Sequence, residues 1–241
     1  MRSKHAWSWV AVFCLAAAAV ALASGVGLAA DKCRVIEPLG KTLDGWTLKG
    51  SPEKSHWTVG IAKLNPDNPR ELVVEPATET QRELVNAQGH GLDIATEAEF
   101  GDCTVELELM VPQGSNSGIY LMGQYEIQVL DSFGKEKVGP GDLGGIYGAS
   151  APKLNAAKAP GEWQEFVIEF RAPRFKDGQK VENARFVKVT LNGQAIHEDV
   201  EVQKQTGGAW RSGEFPTGPL MFQGNHGPVA YRNIKITVPG K

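Results

Sequence analysis

Between Thr104 and Val111 the chain reads TVELELMV, an alternation that sets Val105, Leu107, Leu109 and Val111 on one side of an extended segment and Glu106 and Glu108 on the other. A repeat of two suits a strand and not a helix, whose faces recur every 3.6 residues. The alternation returns in RNIKITV (232–238) and, less cleanly, in EFVIEF (165–170) and RFVKVTL (185–191). Helical periodicity is nearly absent beyond residue 30. Clusters of Gly, Pro and Asn separate the segments: NPDNP, PQGSNSG, GPGDLGG and TGGAWRSGEFPTGP. Many short strands, each with one apolar face to cover, predict an all-β fold: an antiparallel two-sheet β-sandwich of jelly-roll type. Asn192-Gly193 suits the positive φ angles of a two-residue type I′ turn and predicts a hairpin there. Residues 132–162 hold too many glycines and prolines for a regular element, and loops of that length are often functional rims.

The first thirty residues read differently. Arg2 and Lys4 precede an apolar run from Ala6 to Ala23, which ends in the small residues SGVGLAA. That is the layout of a secretory leader, with cleavage expected after Ala29 or Ala30; an uncleaved anchor is the alternative. Residues 31–241 are then one sandwich domain, secreted or periplasmic. Removing Arg2 and Lys4 leaves 23 basic against 28 acidic side chains, a net charge of about −5. Nothing in that balance favours nucleic acid as a partner. Export leaves two options open for Cys33 and Cys103: one disulfide or two thiols. They lack the CxxC spacing of a metal or redox site.

One strand is unusual. In GIYLMGQYEIQVLDSFG (118–134), Glu126, Gln128 and Asp131 interrupt the most apolar stretch of the sequence. Glu126 and Gln128 share one face of an ideal strand, with Ile127 and Val129 on the other. Asp131 joins the polar face only if a bulge between 128 and 131 resets the alternation. All three would then line a sugar-sized groove. The spacing is similar to the Glu-x-Asp-x-x-Glu strand of laminarinase-type retaining glucanases, which need two carboxylates about 5 Å apart. Here an amide replaces the middle acid, which argues against that double displacement.

The ordered set SNSGIYLMGQYEIQVLD (115–131), GGIYG (144–148), GEWQEF (161–166), LNGQ (191–194), GPLMFQGNHG (218–227) and YRNIKI (231–236) resembles the 3-keto-disaccharide hydrolase domain family, from about Leu43 to Val238. The resemblance implies a concanavalin-like jelly roll and cleavage of glycosides already oxidised to a ketone at C3. One position departs from it: where family members often carry Arg, this chain has Met122.

A C3 ketone acidifies the C2 proton. Its removal gives an enolate that can expel the C1 substituent, and hydration would complete a net hydrolysis. The route needs a base, groups to stabilise the enolate and an acid at the leaving oxygen. It needs no carboxylate nucleophile. Glu126 is the candidate base, with Asp131 orienting a neighbour or binding hydroxyls. His226 can serve as acid or base, since histidine ordinarily titrates near neutrality. Gln128 suits uncharged hydrogen bonding to sugar, and Arg232 suits the enolate. Asn116 and Ser117 precede the strand in a Gly-flanked turn, and Tyr147 could stack on a sugar. Trp163 reads as core. No nucleotide cradle is present; a divalent cation on Glu126, Asp131 and His226 is the conceivable cofactor. Other readings of the same groove are a non-catalytic carbohydrate-binding module and a hydrolase of unoxidised glycans.

Overall fold

The computed structural model describes residues 33–240. The proposed leader therefore lies outside the described residues. In chain order the strands are β1 (Arg34–Ile36), β2 (Trp46–Leu48), β3 (Trp57–Leu64), β4 (Leu72–Pro76), β5 (Glu83–Asn86), β6 (Ile94–Phe100), β7 (Cys103–Met110) and β8 (Asn116–Leu121). They continue as β9 (Tyr125–Leu130), β10 (Gln164–Arg171), β11 (Arg174–Lys176), β12 (Gln179–Glu182), β13 (Ala184–Leu191), β14 (Gln194–Val202), β15 (Gly218–Phe222) and β16 (Val229–Val238). A single 3-10 turn at Pro52–Lys54 is the one helical element among the described residues. No helix there is long and apolar enough to cross a membrane.

The strands form an antiparallel two-sheet jelly-roll sandwich. One sheet has nine strands in the order β14-β13-β10-β7-β16-β5-β3-β4, with β1 added beside β16. The other has five, in the order β2-β6-β15-β8-β9, and β11-β12 make a separate ribbon. The alternation in TVELELMV does what it predicts: Val105, Leu107 and Leu109 enter the core, while Glu106 and Glu108 pair on the outside with Lys235 and Arg232, both at 2.6 Å. Phe222 of the smaller sheet stacks on Tyr231 of the larger at 3.9 Å between ring centres. The Tyr231 hydroxyl also meets Ser117 Oγ at 3.0 Å, a hydrogen bond between the sheets inside the core.

Two loop expectations hold. Leu191 faces Gln194 across a two-residue turn in which Asn192 and Gly193 have φ of 51° and 77°. No strand lies between Leu130 and Gln164. Cys33 and Cys103 are separate thiols, one exposed and one buried, and burial pushes the Cys103 thiol up to about 12. They sit beside strands on opposite sides of β16, so two strand spacings of about 10 Å part them, more than a disulfide spans.

The Asn192-Gly193 turn yields a clean test, because a Cβ at Gly193 meets nothing within 4 Å. Only the left-handed φ opposes a side chain there, so Gly193→Ala should lower unfolding free energy by about 1–2 kcal/mol. Urea denaturation would show this as a lower midpoint at unchanged slope.

Candidate functional site

The register of the five-stranded sheet places the polar strand. Glu126 pairs with Tyr120, Tyr120 with Met221, Met221 with Ala95 and Ala95 with Thr47. These five side chains form one row on the face turned away from the core. The next row, two residues along, carries Gln128, Gly118, Gln223, Asp93 and Lys49. Its links are the Gly118–Gln128 pair, the Gln223 N–H to Gly118 O bond (3.0 Å) and the Lys49 N–H to Asp93 O bond (2.9 Å). Asn116, one row further, accepts from Gln128 Nε2 at 2.7 Å.

Two segments wall this face. Residues 206–210 cross it, with the Tyr120 hydroxyl donating to Gly207 O (3.0 Å) and Lys49 Nζ donating to Gly208 O and Ala209 O (2.8 Å each). Thr206 Oγ1 accepts from the Glu126 N–H at 3.1 Å. The long loop runs along the free edge of β9: Gln128 N–H donates to Gly145 O, Gly144 N–H to Gln128 O and Tyr147 N–H to Glu126 O, at 2.8–3.1 Å. Tyr147 is left half exposed on that rim.

Enclosure makes Glu126 an unusual acid. It is 4% exposed. Burial, opposed by the Tyr120 hydroxyl and reinforced by the charge of Asp93, pushes its carboxyl up from 4.5 to about 7. None of the groups acting on it is a cation. Its side chain lies over Gly118, where a Cβ would come within 2.5 Å of Glu126 Oε1. A glycine in a strand interior normally costs stability; here it makes room for the carboxylate. Asp93 is held by Gly224 N–H (3.1 Å) and lies 3.6 Å from Lys49.

Beyond Asn116 the face opens into a cleft of about 610 Å³ lined by His226, Asn225, His90 and Arg70 among others. His226 is exposed, its Nδ1 bonded to Asn225 Oδ1. On the other side of Glu126 a cavity of about 490 Å³ is bordered by Tyr147, Thr206 and Gly207. Glu126, Gln128 and Asn116 are thus brought to one face, with Tyr147 on its rim and His226 in the cleft beyond Asn116.

Three expected residues are not. The β8–β9 register runs without a shift from Leu121–Tyr125 to Asn116–Leu130, so the expected bulge is absent. Asp131 lies past the strand end, where its carboxylate accepts from Gly114 N–H (2.9 Å) and Phe133 N–H (3.3 Å); it fixes a turn. Ser117 has the parity of Ile119 and points inward, donating to Gln223 O at 2.7 Å. Arg232 belongs to the outer face of the nine-stranded sheet, gripped by Glu108 through Nε and Nη2 and lying 4.0 Å from the Trp163 ring centre. Trp163 is accordingly a partly buried surface ring and not core. Met122 sits in the β8–β9 turn with φ of 55° and its side chain in the core. Among the described residues no three His, Cys, Asp or Glu side chains converge as a metal site would require, so Glu126, Asp131 and His226 do not form the conceived ligand set.

A family model described as a 3-keto-alpha-glucoside-1,2-lyase-like domain matches residues 36–237. The chain belongs to this family. Among solved structures, a candidate glycosyl hydrolase of Parabacteroides distasonis is 28% identical, with a TM-score of 0.58 over 84% of this chain and 82% of that one. Two further candidate glycosyl hydrolases of that organism share the fold at 19% and 20% identity, with TM-scores of 0.55 and 0.56. They cover 84% and 85% of this chain and 92% and 99% of theirs. No curated protein matches the sequence.

For this member of the family, strand pairing adds Tyr120 to the face, backbone bonds at the strand ends add Asp93, Lys49 and Gln223, and His90 lines the cleft. Gly118 was the available signal, since a glycine between Ser117 and Ile119 in a strand marks a close approach. Lys49 and Asp93 had no such signal; only the sheet order joins them to Glu126.

The raised carboxyl of Glu126 makes stability pH-dependent. Folding favours its protonated form, so that contribution is intact below about pH 4.5 and is lost as pH rises through 7. Relative to Glu126→Gln, the native protein should lose up to about 3 kcal/mol between pH 4.5 and 8. Parallel stability curves of the two proteins, measured by denaturation across that range, would contradict the assignment.

Proposed function

We propose that this protein cleaves glycosides already carrying a ketone at C3, and that Glu126 is the base. The observation that carries this reading is a carboxylate buried without a cation and raised to about 7, where a base both exists in its active form and retains proton affinity. Membership of the lyase-like family supports the substrate class. The likeness to the Parabacteroides candidate glycosyl hydrolase supports glycoside chemistry.

Glu126 takes the C2 proton, and the electron pair passes to the C3 oxygen as an enolate. Collapse of the enolate expels the C1 oxygen, with His226 giving it a proton, and leaves a C1–C2 double bond conjugated to the ketone. Water then adds, hydroxyl to C1 and proton to C2, so the net change is hydrolysis. Arg232, gripped by Glu108 on the outer face of the other sheet, is no longer the cation proposed for the enolate. Gln128 and Asn116, bonded to each other, orient hydroxyls without adding charge. We further propose that residues 1–30 act as a secretory leader that exports the activity; the N-terminal sequence of the mature protein should then begin after Ala29 or Ala30. Tyr147, half exposed on the rim, would equally serve a carbohydrate-binding module without turnover.

Paired aryl glucosides of both anomers, one with a hydroxyl and one with a ketone at C3, decide between these readings. Release only from the ketone form is expected, with kcat/KM falling below an apparent pKa of about 7. Release from both forms would indicate an ordinary glycosidase; release from neither, with ligand still bound, would indicate the binding module. Gly118→Ala should reduce kcat by about 100-fold with little change in Tm, because its Cβ displaces the carboxylate from its place.

A further inference from the structure

The cleft beyond Asn116 has a charge pattern that the proposed chemistry does not use. Its lining holds one guanidinium, Arg70, and two imidazoles, His90 and His226, and no Asp or Glu. Arg70 is exposed, and its side chain has no ion-pair partner among the described residues. The carboxylate tied to the lining, Asp131, is committed to Gly114 N–H and Phe133 N–H. The amides of Gln113, Asn116 and Asn225 complete a wall rich in donors.

The cleft is also built rigidly. His90 holds a left-handed φ of 52°, uncommon for a residue other than glycine, immediately after Gly89 at 64°. That geometry is fastened from several directions. His90 N–H donates to His226 O (2.7 Å), Gly91 N–H to Gly224 O (3.0 Å), and Asn86 bridges Gly89 N–H and Gly224 O at 2.9 Å each. At Gly89 a Cβ would lie 2.4 Å from His226 O, so the two loops close only over a glycine. Gln113 N–H donates to Pro69 O at 2.8 Å, which brings the Arg70 turn to the same opening.

We propose that this cleft is the leaving-group subsite and that it selects an aglycone bearing a carboxylate, bound by Arg70 and His90. The inference rests on the reading of Glu126 and His226 given above: if His226 protonates the leaving oxygen, the departing group extends from C1 into the space shared with Arg70 and His90. An anion there meets three nitrogen-bearing side chains and no free acid. A neutral aglycone of the same shape leaves the guanidinium unpaired.

The test compares 4-carboxyphenyl with 4-carbamoylphenyl 3-keto-glucosides, which differ in charge and hardly in size. The carboxylate should be favoured on the order of tenfold in kcat/KM, through KM. Arg70→Ala should remove that preference and leave the amide substrate within about twofold, and 0.5 M salt should weaken it in the native protein. His90→Gly relieves the left-handed φ, so it should keep Tm while raising KM for the carboxylate. Equal kcat/KM for the two substrates would overturn the subsite and leave the proposed reaction standing. If neither substrate turns over, the reaction fails, and calorimetry of the same pair with Glu126→Gln still decides the subsite. Tighter binding of the carboxylate supports it; equal or undetectable binding of both overturns it.

Discussion

A carboxylate removed from water with no cation beside it is among the more costly arrangements in a folded protein. The outer face of the small sheet is organised around one. Glu126 can be enclosed because Gly118 leaves a gap on the neighbouring strand, because residues 206–210 cross the sheet, and because the long loop covers the far edge of β9. The stability for this comes from the opposite side of the same strands, where Tyr125, Ile127 and Val129 join a core that spans both sheets. Alternation therefore divides the strand: odd-numbered residues of β9 hold the sandwich together, and the even-numbered Glu126 and Gln128 turn to the opposite face.

The same rule explains what could be read from the sequence. TVELELMV and the Asn192-Gly193 turn contain their own structural answer, since an apolar stripe or a pair of positive φ angles is a local property. Glu126 and Gln128 were legible for that reason, being two apart on one strand. Asp131 has the other parity, which only a bulge could reset; the register is uninterrupted, and the side chain fastens the turn at Gly114. The glycines around Ser117 suggest a turn, but the residue lies in β8, whose inward side takes its hydroxyl to Tyr231. Arg232 needed sheet order: nothing in YRN says that β16 belongs to the larger sheet, where Glu108 waits opposite.

Sheet order also accounts for the residues no local pattern reveals. Lys49 and Glu126 are 77 positions apart in the chain; Lys49 directly follows β2 at one edge of the five-stranded sheet, and Glu126 lies on β9 at the other. Their common face is created by three intervening strands drawn from distant parts of the sequence. A jelly roll assembles sites in this way, so motif spacing alone recovers only the part carried by a single hairpin, here β8–β9.

The loop over β9 has a second consequence. An edge strand offers a row of unpaired backbone groups on which another chain can add itself. Residues 144–147 occupy that row, exchanging hydrogen bonds with Glu126 and Gln128 as a partner strand would. The rim of the groove is thus also a guard against self-association. Engineering a wider entrance by loosening this loop would uncover a sticky edge, so solubility, more than folding, sets how far the opening can be enlarged.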